Sequence, residues 1–115
     1  MKDTVIVITR QGLGTTAPAD QAFGLRMLDL FLHVLESRAE KPRAICFYTE
    51  GIKLVARGST LEQSLQLLAR LGVRLVACRT CVDEYGLQDR IVVGEVVGMT
   101  EIVRLMAEAA KVITV

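Results

Sequence analysis

The feature that most constrains the fold is the alternation of short β-branched runs with longer segments of helical periodicity. The short runs predict strands at residues 4–9, 43–48, 73–78 and 112–115. Helical patterns lie between them, at about 18–38, 61–71 and 100–109. Strands that alternate with helices of ten or more residues need crossover connections, which make the sheet mainly parallel and cover both its faces. The sequence therefore predicts a three-layer α/β/α domain whose sheet has about five strands.

The helical segments carry specific expectations about which side chains are buried. In the first of them, six apolar side chains recur at three- and four-residue steps and predict its buried face: Phe23, Met27, Leu30, Phe31, Val34 and Leu35. In the second, Ser59 and Glu62 have the spacing of a capping box, and Gly72 suits the position just beyond the helix end. Its apolar face is predicted to consist of Leu61, Leu65, Leu68 and Leu71. Residues 91–97 are ambiguous between strand and helix, because Gly94 interrupts a β-branched run.

Length, charge and cysteine content limit the class of protein. A chain of 115 residues suits one domain, spanning 1–115, with one core. The net charge is +1, without blocks of like charge, which argues against a nucleic acid or an anionic membrane as partner. No apolar run approaches the roughly 18 residues of a membrane-spanning helix. Three cysteines, an odd number without a secretory signal, favour reduced thiols. We therefore expect a soluble cytoplasmic protein.

Three unusual segments follow the first three predicted strands. In open α/β sheets, ligands bind outside the carboxyl ends of the strands, where such segments would meet. We therefore predict that they form the functional site. The segments are residues 10–14 with Gly12 and Gly14, then the turn-like Thr49-Glu50-Gly51, and then the run Cys78-Arg79-Thr80-Cys81.

Cys78 is predicted to be the central residue of this site. It would end a strand and precede a helix, so its sulfur would lie beside unpaired backbone N–H groups at the positive end of the helix dipole. That position favours the thiolate, and Arg79 would favour it further. A lone cysteine would more often serve packing, as we expect for Cys46 in its apolar strand. The C-x-x-C spacing between Cys78 and Cys81 favours a functional role instead.

Other kinds of site fit the sequence less well. Zinc needs about four ligands, and beyond the C-x-x-C pair the chain offers only Cys46 and a surface His33, so we expect no metal and no cofactor. Residues 12–17 match the G-x-G-x-x-A pattern of a phosphate cradle, but Glu50 comes too late to be the acidic residue of a dinucleotide site. Glycines that permit a tight turn are the simpler interpretation. Glu50 is either a solvated loop carboxylate or a group that orients a thiol or receives a proton.

Four segments taken together resemble the DsrE/DsrF-like family, and most closely the C-terminal half of YedF-like selenium-metabolism proteins. They are residues 7–14, 47–54, 78–81 with 85–87, and 93–96. The resemblance spans nearly the whole chain. It implies a small three-layer α/β fold, assembly into homo-oligomers and, in the sulfur-relay members, one cysteine that holds a persulfide. By its distance from Gly86, Cys78 resembles that cysteine, whereas Cys81 is shared with the YedF-like branch and would be a resolving thiol or a second carrier.

The resemblance also implies partners. YedF-like proteins usually carry an N-terminal TusA-like domain, which this sequence lacks, so a separate TusA-like protein is an expected donor or acceptor. The leading hypothesis is a sulfurtransferase-like carrier of sulfur or selenium, in which Cys78 accepts a sulfane sulfur and passes it to a partner protein. Two alternatives stay open. One is a redox protein in which Cys78 and Cys81 close a reversible disulfide. The other is a non-catalytic subunit of an oligomer.

Overall fold

The computed structural model describes all residues from 1 to 115 and contains a single five-stranded sheet. All the strand pairs are parallel, in the order β4-β3-β2-β1-β5, and this confirms the predicted architecture. None of the helices has both the length and the apolar character needed to cross a membrane. The elements are β1 (Thr4–Ile8), α1 (Gln21–Ser37), β2 (Ala44–Phe47), α2 (Glu62–Arg70), β3 (Arg74–Cys78), α3 (Arg79–Glu84), β4 (Glu95–Val97), α4 (Met99–Glu108) and β5 (Lys111–Thr114).

The sheet has an apolar core on each face because alternate residues of a strand point to opposite sides. Ile6 is paired with Ile45 and Ile45 with Leu75, and this row packs under the buried side chains of α1 and α2. On the other face, α4 covers a smaller core that includes Val7 and Cys46. All residues of β1 and β2 are buried, as expected for inner strands that are covered on both faces.

The prediction for the buried face of α1 is wrong at three positions. Phe23, Leu30 and Val34 are 51%, 56% and 52% exposed, and Met27 and Phe31 are half-buried. The residues of α1 that are buried are Gly24, Leu28, Leu32 and Leu35. The helix carries apolar side chains on two faces, so periodicity alone does not select between them.

A close contact between two glycines explains why the face with Gly24 is the buried one. A Cβ on Gly12 would lie 3.1 Å from the Gly24 carbonyl carbon, so the loop after β1 meets α1 backbone to backbone. The N–H of Leu13 also donates to the Gly24 carbonyl oxygen at 3.0 Å. The α1 helix is therefore held against the loop after β1 at Gly24, with its Leu28 face over the sheet.

Two further expectations need correction at the ends of α2. Ser59 does not form a capping box, because its Oγ accepts a hydrogen bond from the N–H of Leu61 and the helix begins only at Glu62. Leu71 lies beyond the last helical residue and is 46% exposed, whereas Leu61, Leu65 and Leu68 are buried as predicted. Gly72 has φ +98°, a conformation that favours glycine just beyond a helix end.

The secondary structure of two segments could not be predicted from the sequence. Thr49–Val55 was expected to begin as a simple turn, but it is a 3₁₀ helix that buries Ile52, Leu54 and Val55. Within residues 91–97, only Glu95–Val97 form a strand. Gly94 has φ +80°, and a Cβ there would lie 2.7 Å from the carbonyl oxygen of Leu75. The chain therefore enters β4 through a turn that requires glycine.

Candidate functional site

The three segments selected from the sequence meet at the carboxyl edge of the sheet. The strands β1, β2 and β3 are immediate neighbours, so the residues that follow them are also neighbours. The Oγ1 of Thr49 donates a hydrogen bond to the carbonyl oxygen of Thr9 at 2.8 Å, which joins the first segment to the second. The N–H of Thr49 donates to the Sγ of Cys81 at 3.1 Å, which joins the second to the third.

Cys78 is the last residue of β3 and the residue that caps the start of α3, as the sequence predicted. Its side chain points to the face that α4 covers, because it lies two residues after Val76 on the same side of the strand. Only 1% of Cys78 is exposed. The sulfur that was expected to meet a donor protein is therefore covered by the fold.

Cys81 lies in the first turn of α3 and is half-buried, so it is the more accessible sulfur of the pair. Burial raises the pKa of the Cys81 thiol above its usual value, whereas the hydrogen bond from the Thr49 N–H lowers it. The neighbouring Cys78 raises the pKa further, since two thiols close to one another do not both ionise readily. Cys81 is consequently a neutral thiol at pH 7 and becomes a thiolate only at higher pH.

The amide that faces Cys81 is held in place by an unusual backbone conformation. Thr49 has φ +50°, in the left-handed region that non-glycine residues seldom adopt, at a cost of roughly 1–3 kcal/mol. Next to it, Gly51 crosses the end of β1 so closely that a Cβ would lie 2.2 Å from the carbonyl oxygen of Ile8. Gly51 belongs to the second predicted segment, but a glycine in a sequence gives no sign of what its backbone touches.

Glu50 belongs to a cluster of charged and aromatic groups beside the cysteines. Its carboxylate lies 3.0 Å from the Nζ of Lys53 and accepts a hydrogen bond from the hydroxyl of Tyr85 at 3.1 Å. The Nζ of Lys53 lies 4.7 Å from the centre of the Tyr85 ring. The pKa of Glu50 is held below its usual value, mainly by Lys53 and to a smaller extent by Tyr85 and Gln11. Glu50 forms no hydrogen bond with either sulfur, so it does not orient a thiol here.

The remaining predicted residues lie at the same edge but form no hydrogen bond with the sulfurs. The guanidinium of Arg79 donates to the carbonyl oxygen of Val96 at 3.2 Å, on β4, and forms no hydrogen bond to a cysteine. Thr80 is exposed and makes no side-chain hydrogen bond. Cys46 is fully buried, as predicted, and burial raises its pKa to about 11. No group of three metal-binding side chains is arranged to hold an ion.

Gly12 and Gly14 line a polar cleft of about 370 Å³ that opens at the same edge. Gly12 is the buried contact to α1, and Gly14 has φ +75° with no atom near the position of a Cβ. The cleft shares Glu50 with the cluster beside the cysteines, so the two features are adjacent. Its lining contains no hydrophobic side chain and consists of Arg10, Gln11, Gly12, Gly14, Thr15, Thr16, Gln21, Gly24 and Glu50.

Comparison with known proteins gives one family and several similar structures. The model of the DsrE/DsrF-like family matches residues 4–115. The ychN protein from E. coli is 22% identical with a TM-score of 0.73, and the match covers 100% of both chains. MTH1491 from Methanobacterium thermoautotrophicum, a protein of unknown function, is 23% identical with a TM-score of 0.72, covering 97% of both chains. At this level of identity the similarity extends to the fold alone. No curated protein sequence matches the chain.

Proposed function

Because this chain belongs to the DsrE/DsrF-like family, which is associated with sulfur relay, we propose that it carries sulfur as a persulfide on its C-x-x-C pair and passes it to a partner protein. The observation that carries the proposal is the hydrogen bond from the N–H of Thr49 to the Sγ of Cys81, at 3.1 Å. A donor that is held by the backbone stabilises negative charge on sulfur without any rearrangement. The half-exposed position of Cys81 also leaves room for the sulfur of a partner.

The different exposure of the two sulfurs suggests a division of roles. The Cys81 thiolate attacks the outer sulfur of a donor persulfide, the S–S bond of the donor breaks, and the donor leaves as a thiolate. Cys81 then holds the sulfane sulfur. The Cys78 thiolate can take this sulfur in a second step of the same kind, which leaves Cys81 as a thiolate and involves no net oxidation. Cys78, predicted from the sequence as the carrier, becomes in this proposal the protected second position.

The pKa of Cys81 gives the loading step a pH dependence. Only the thiolate is nucleophilic, and burial raises the pKa of Cys81, so loading is slow at neutral pH and accelerates as the pH rises above the usual range of a thiol. A partner that supplies a cation beside Cys81 would stabilise the thiolate and lower this barrier. Transfer to or from a docked protein is therefore expected to be faster than transfer from a small persulfide.

The test is to incubate the purified protein with a low-molecular-weight persulfide and to measure the intact mass and the modified peptide. We expect one added sulfur atom on the segment that contains Cys78 and Cys81. Cys81→Ser should abolish loading, Cys78→Ser should leave it on Cys81, and the control Cys46→Ala should load like the wild type. The absence of added sulfur in the wild type, or normal loading of Cys81→Ser, would contradict the proposal.

A second candidate is supported by the closeness of the two cysteines. Cys78 raises the pKa of Cys81, and Cys81 packs against the core cluster that contains Cys78, so thiol–disulfide chemistry can compete. If the protein instead is a redox protein, oxidation will form a reversible Cys78–Cys81 disulfide, and no persulfide will accumulate. Measuring both products in the same donor incubation separates the two functions.

The proposal extends to cargo, partners and assembly. The likeness of residues 78–81 and 85–87 to YedF-like proteins makes selenium a second cargo to test beside sulfur, and a TusA-like protein the first partner to test. Three free cysteines suit the reducing cytoplasm, where we place the activity. We also propose a homo-oligomer, supported by the exposed Phe23, Leu30 and Val34 on α1 and by a net charge of only +1, which gives little repulsion between copies.

A further inference from the structure

We propose that the polar cleft at the carboxyl edge binds a small molecule through a tetrahedral oxyanion of the phosphate or sulfate type, with Arg10 as its cationic partner. The volume of about 370 Å³ lies at the low end of the range for small-molecule sites, roughly 300–1,000 Å³. Such sites are usually lined mainly by apolar side chains. Because this cleft has no hydrophobic lining, it suits a compact and strongly polar ligand.

Arg10 is the only cationic side chain that lines the cleft. It follows β1 directly and is half-buried, and its one hydrogen bond within the protein is from Nη1 to the Oγ1 of Thr15. No carboxylate lies within ion-pair distance of it. A guanidinium has five N–H donors in a planar fork that matches two oxygens of an oxyanion. Most of these donors are therefore available to a ligand.

The one carboxylate in the lining does not cancel this positive charge. Glu50 is ionised, but it is already paired with Lys53 at 3.0 Å and hydrogen-bonded by the Tyr85 hydroxyl. The pair of Glu50 and Lys53 is neutral as a unit, which leaves the charge of Arg10 uncompensated. The charge around the cleft therefore favours an anion over a cation.

Further hydrogen-bond donors surround the same space. The N–H of Leu13 is used by the Gly24 carbonyl, but the N–H groups of Gly14, Thr15 and Thr16 have no acceptor within the protein. Gly14 has no side chain to cover the cleft, and nothing lies within 4 Å of the position where its Cβ would be. An oxyanion beside Arg10 would thus meet backbone and hydroxyl donors as well as the guanidinium. In this proposal, Gly12 and Gly14 allow the oxyanion to approach the backbone as well as permitting a tight turn.

The test is a titration of the isotope-labelled protein with inorganic phosphate and, separately, inorganic sulfate, each followed by amide NMR shifts against sodium chloride of equal ionic strength. We expect saturable shifts confined to residues 10–16 and Gln21. Arg10→Gln should weaken binding at least tenfold, with the shifts of β1 to β3 unchanged. Arg70→Gln removes the same charge at the exposed end of α2 and should leave binding unaltered. Tighter binding of phosphate indicates a phosphorylated ligand, and tighter binding of sulfate a sulfur oxyanion.

A second variant keeps the proposal testable if Arg10→Gln fails to fold. Thr15→Asp places a carboxylate at an exposed position of the lining beside Arg10 and should abolish the saturable shifts, because the carboxylate repels the anion and pairs with the guanidinium. The proposal is wrong if neither anion gives saturable shifts, if the shifts scatter over surface cations, or if Arg10→Gln and Arg70→Gln bind equally. The readout is anion binding and not sulfur loading. A negative result here therefore leaves the persulfide proposal untouched, and a failure of sulfur loading leaves the anion-binding proposal untouched.

Discussion

Replacement of Gly51 by alanine is expected to be among the most damaging small substitutions in this protein. The new Cβ would lie 2.2 Å from the carbonyl oxygen of Ile8 and 2.8 Å from its carbonyl carbon. Ordinary contacts of a Cβ begin at 3.4 Å, so the two backbones must separate by more than 1 Å. Ile8 is fully buried and cannot retreat into solvent, and its carbonyl also accepts the N–H of Tyr48 at 3.3 Å.

The magnitude follows from these two effects. Overpacking that forces a backbone shift costs about 1–3 kcal/mol, and a weakened buried hydrogen bond adds about 1 kcal/mol. We therefore expect Gly51→Ala to lose about 3 kcal/mol of unfolding free energy, and for a domain of this size the melting temperature falls by about 10 °C. The same shift moves the Thr49 N–H away from Cys81, which removes a contact that lowers the pKa of that thiol.

The assay is thermal and urea unfolding of Gly51→Ala beside Gly98→Ala. Gly98 has φ −75° and ψ 163°, and nothing lies within 4 Å of the position of its Cβ, so we expect that control to change stability by less than about 1 kcal/mol. Alkylation of Cys81 at fixed pH provides the second readout, which should slow in Gly51→Ala. Equal stability of the two variants would refute the reasoning from the close contact.

Three further predictions concern assembly and pH. Leu30→Glu, on the exposed face of α1, should reduce the molar mass in light scattering to that of a smaller species, whereas Leu71→Glu should not; an unchanged mass removes α1 from the interface. Burial raises the pKa of Cys46 from 9.0 to about 11, so its contribution to stability is complete below pH 9 and is lost towards pH 11. The difference in unfolding free energy between wild type and Cys46→Ala should therefore shrink by about 2 kcal/mol between pH 8 and pH 11. Arg104 lowers the pKa of Glu101 from 4.5 to about 2, so Glu101→Gln should flatten the loss of stability on acidification between those values.

The succession of strands and helices along the chain could be predicted from the sequence, because it depends on local patterns. The β-branched run of β1 and the glycine after α2 carry their own signals, and the structure has both where they were predicted. The buried face of α1 could not be read, since Phe23 and Leu28 lie on two faces of comparable apolar character. The choice depends on the Gly12–Gly24 contact, which joins two segments and leaves no periodic trace.

The site shows the same limit. That residues 78–81 lie beside Thr49 and Glu50 follows from parallel strands with adjacent carboxyl ends, which the sequence indicates. The hydrogen-bond partner of Cys81 could not be predicted from the sequence, because it is a backbone N–H whose direction depends on the positive φ of Thr49. The ion pair between Glu50 and Lys53 had only a weak sequence signal, which is their spacing of three residues in a segment that forms a 3₁₀ helix.

The C-x-x-C pair spans a change from strand to helix, and this change gives its two sulfurs different surroundings. Cys78 still follows the alternation of β3 and is buried in the core under α4, whereas Cys81, in the first turn of α3, packs at the margin of that core, where the Thr49 N–H reaches its sulfur. In the proposed relay, a sulfane sulfur that passes from Cys81 to Cys78 would move from partial exposure to 1% exposure. Exchange with a partner would therefore take place at Cys81, and a cargo held on Cys78 would be shielded from the reductants of the surrounding solution.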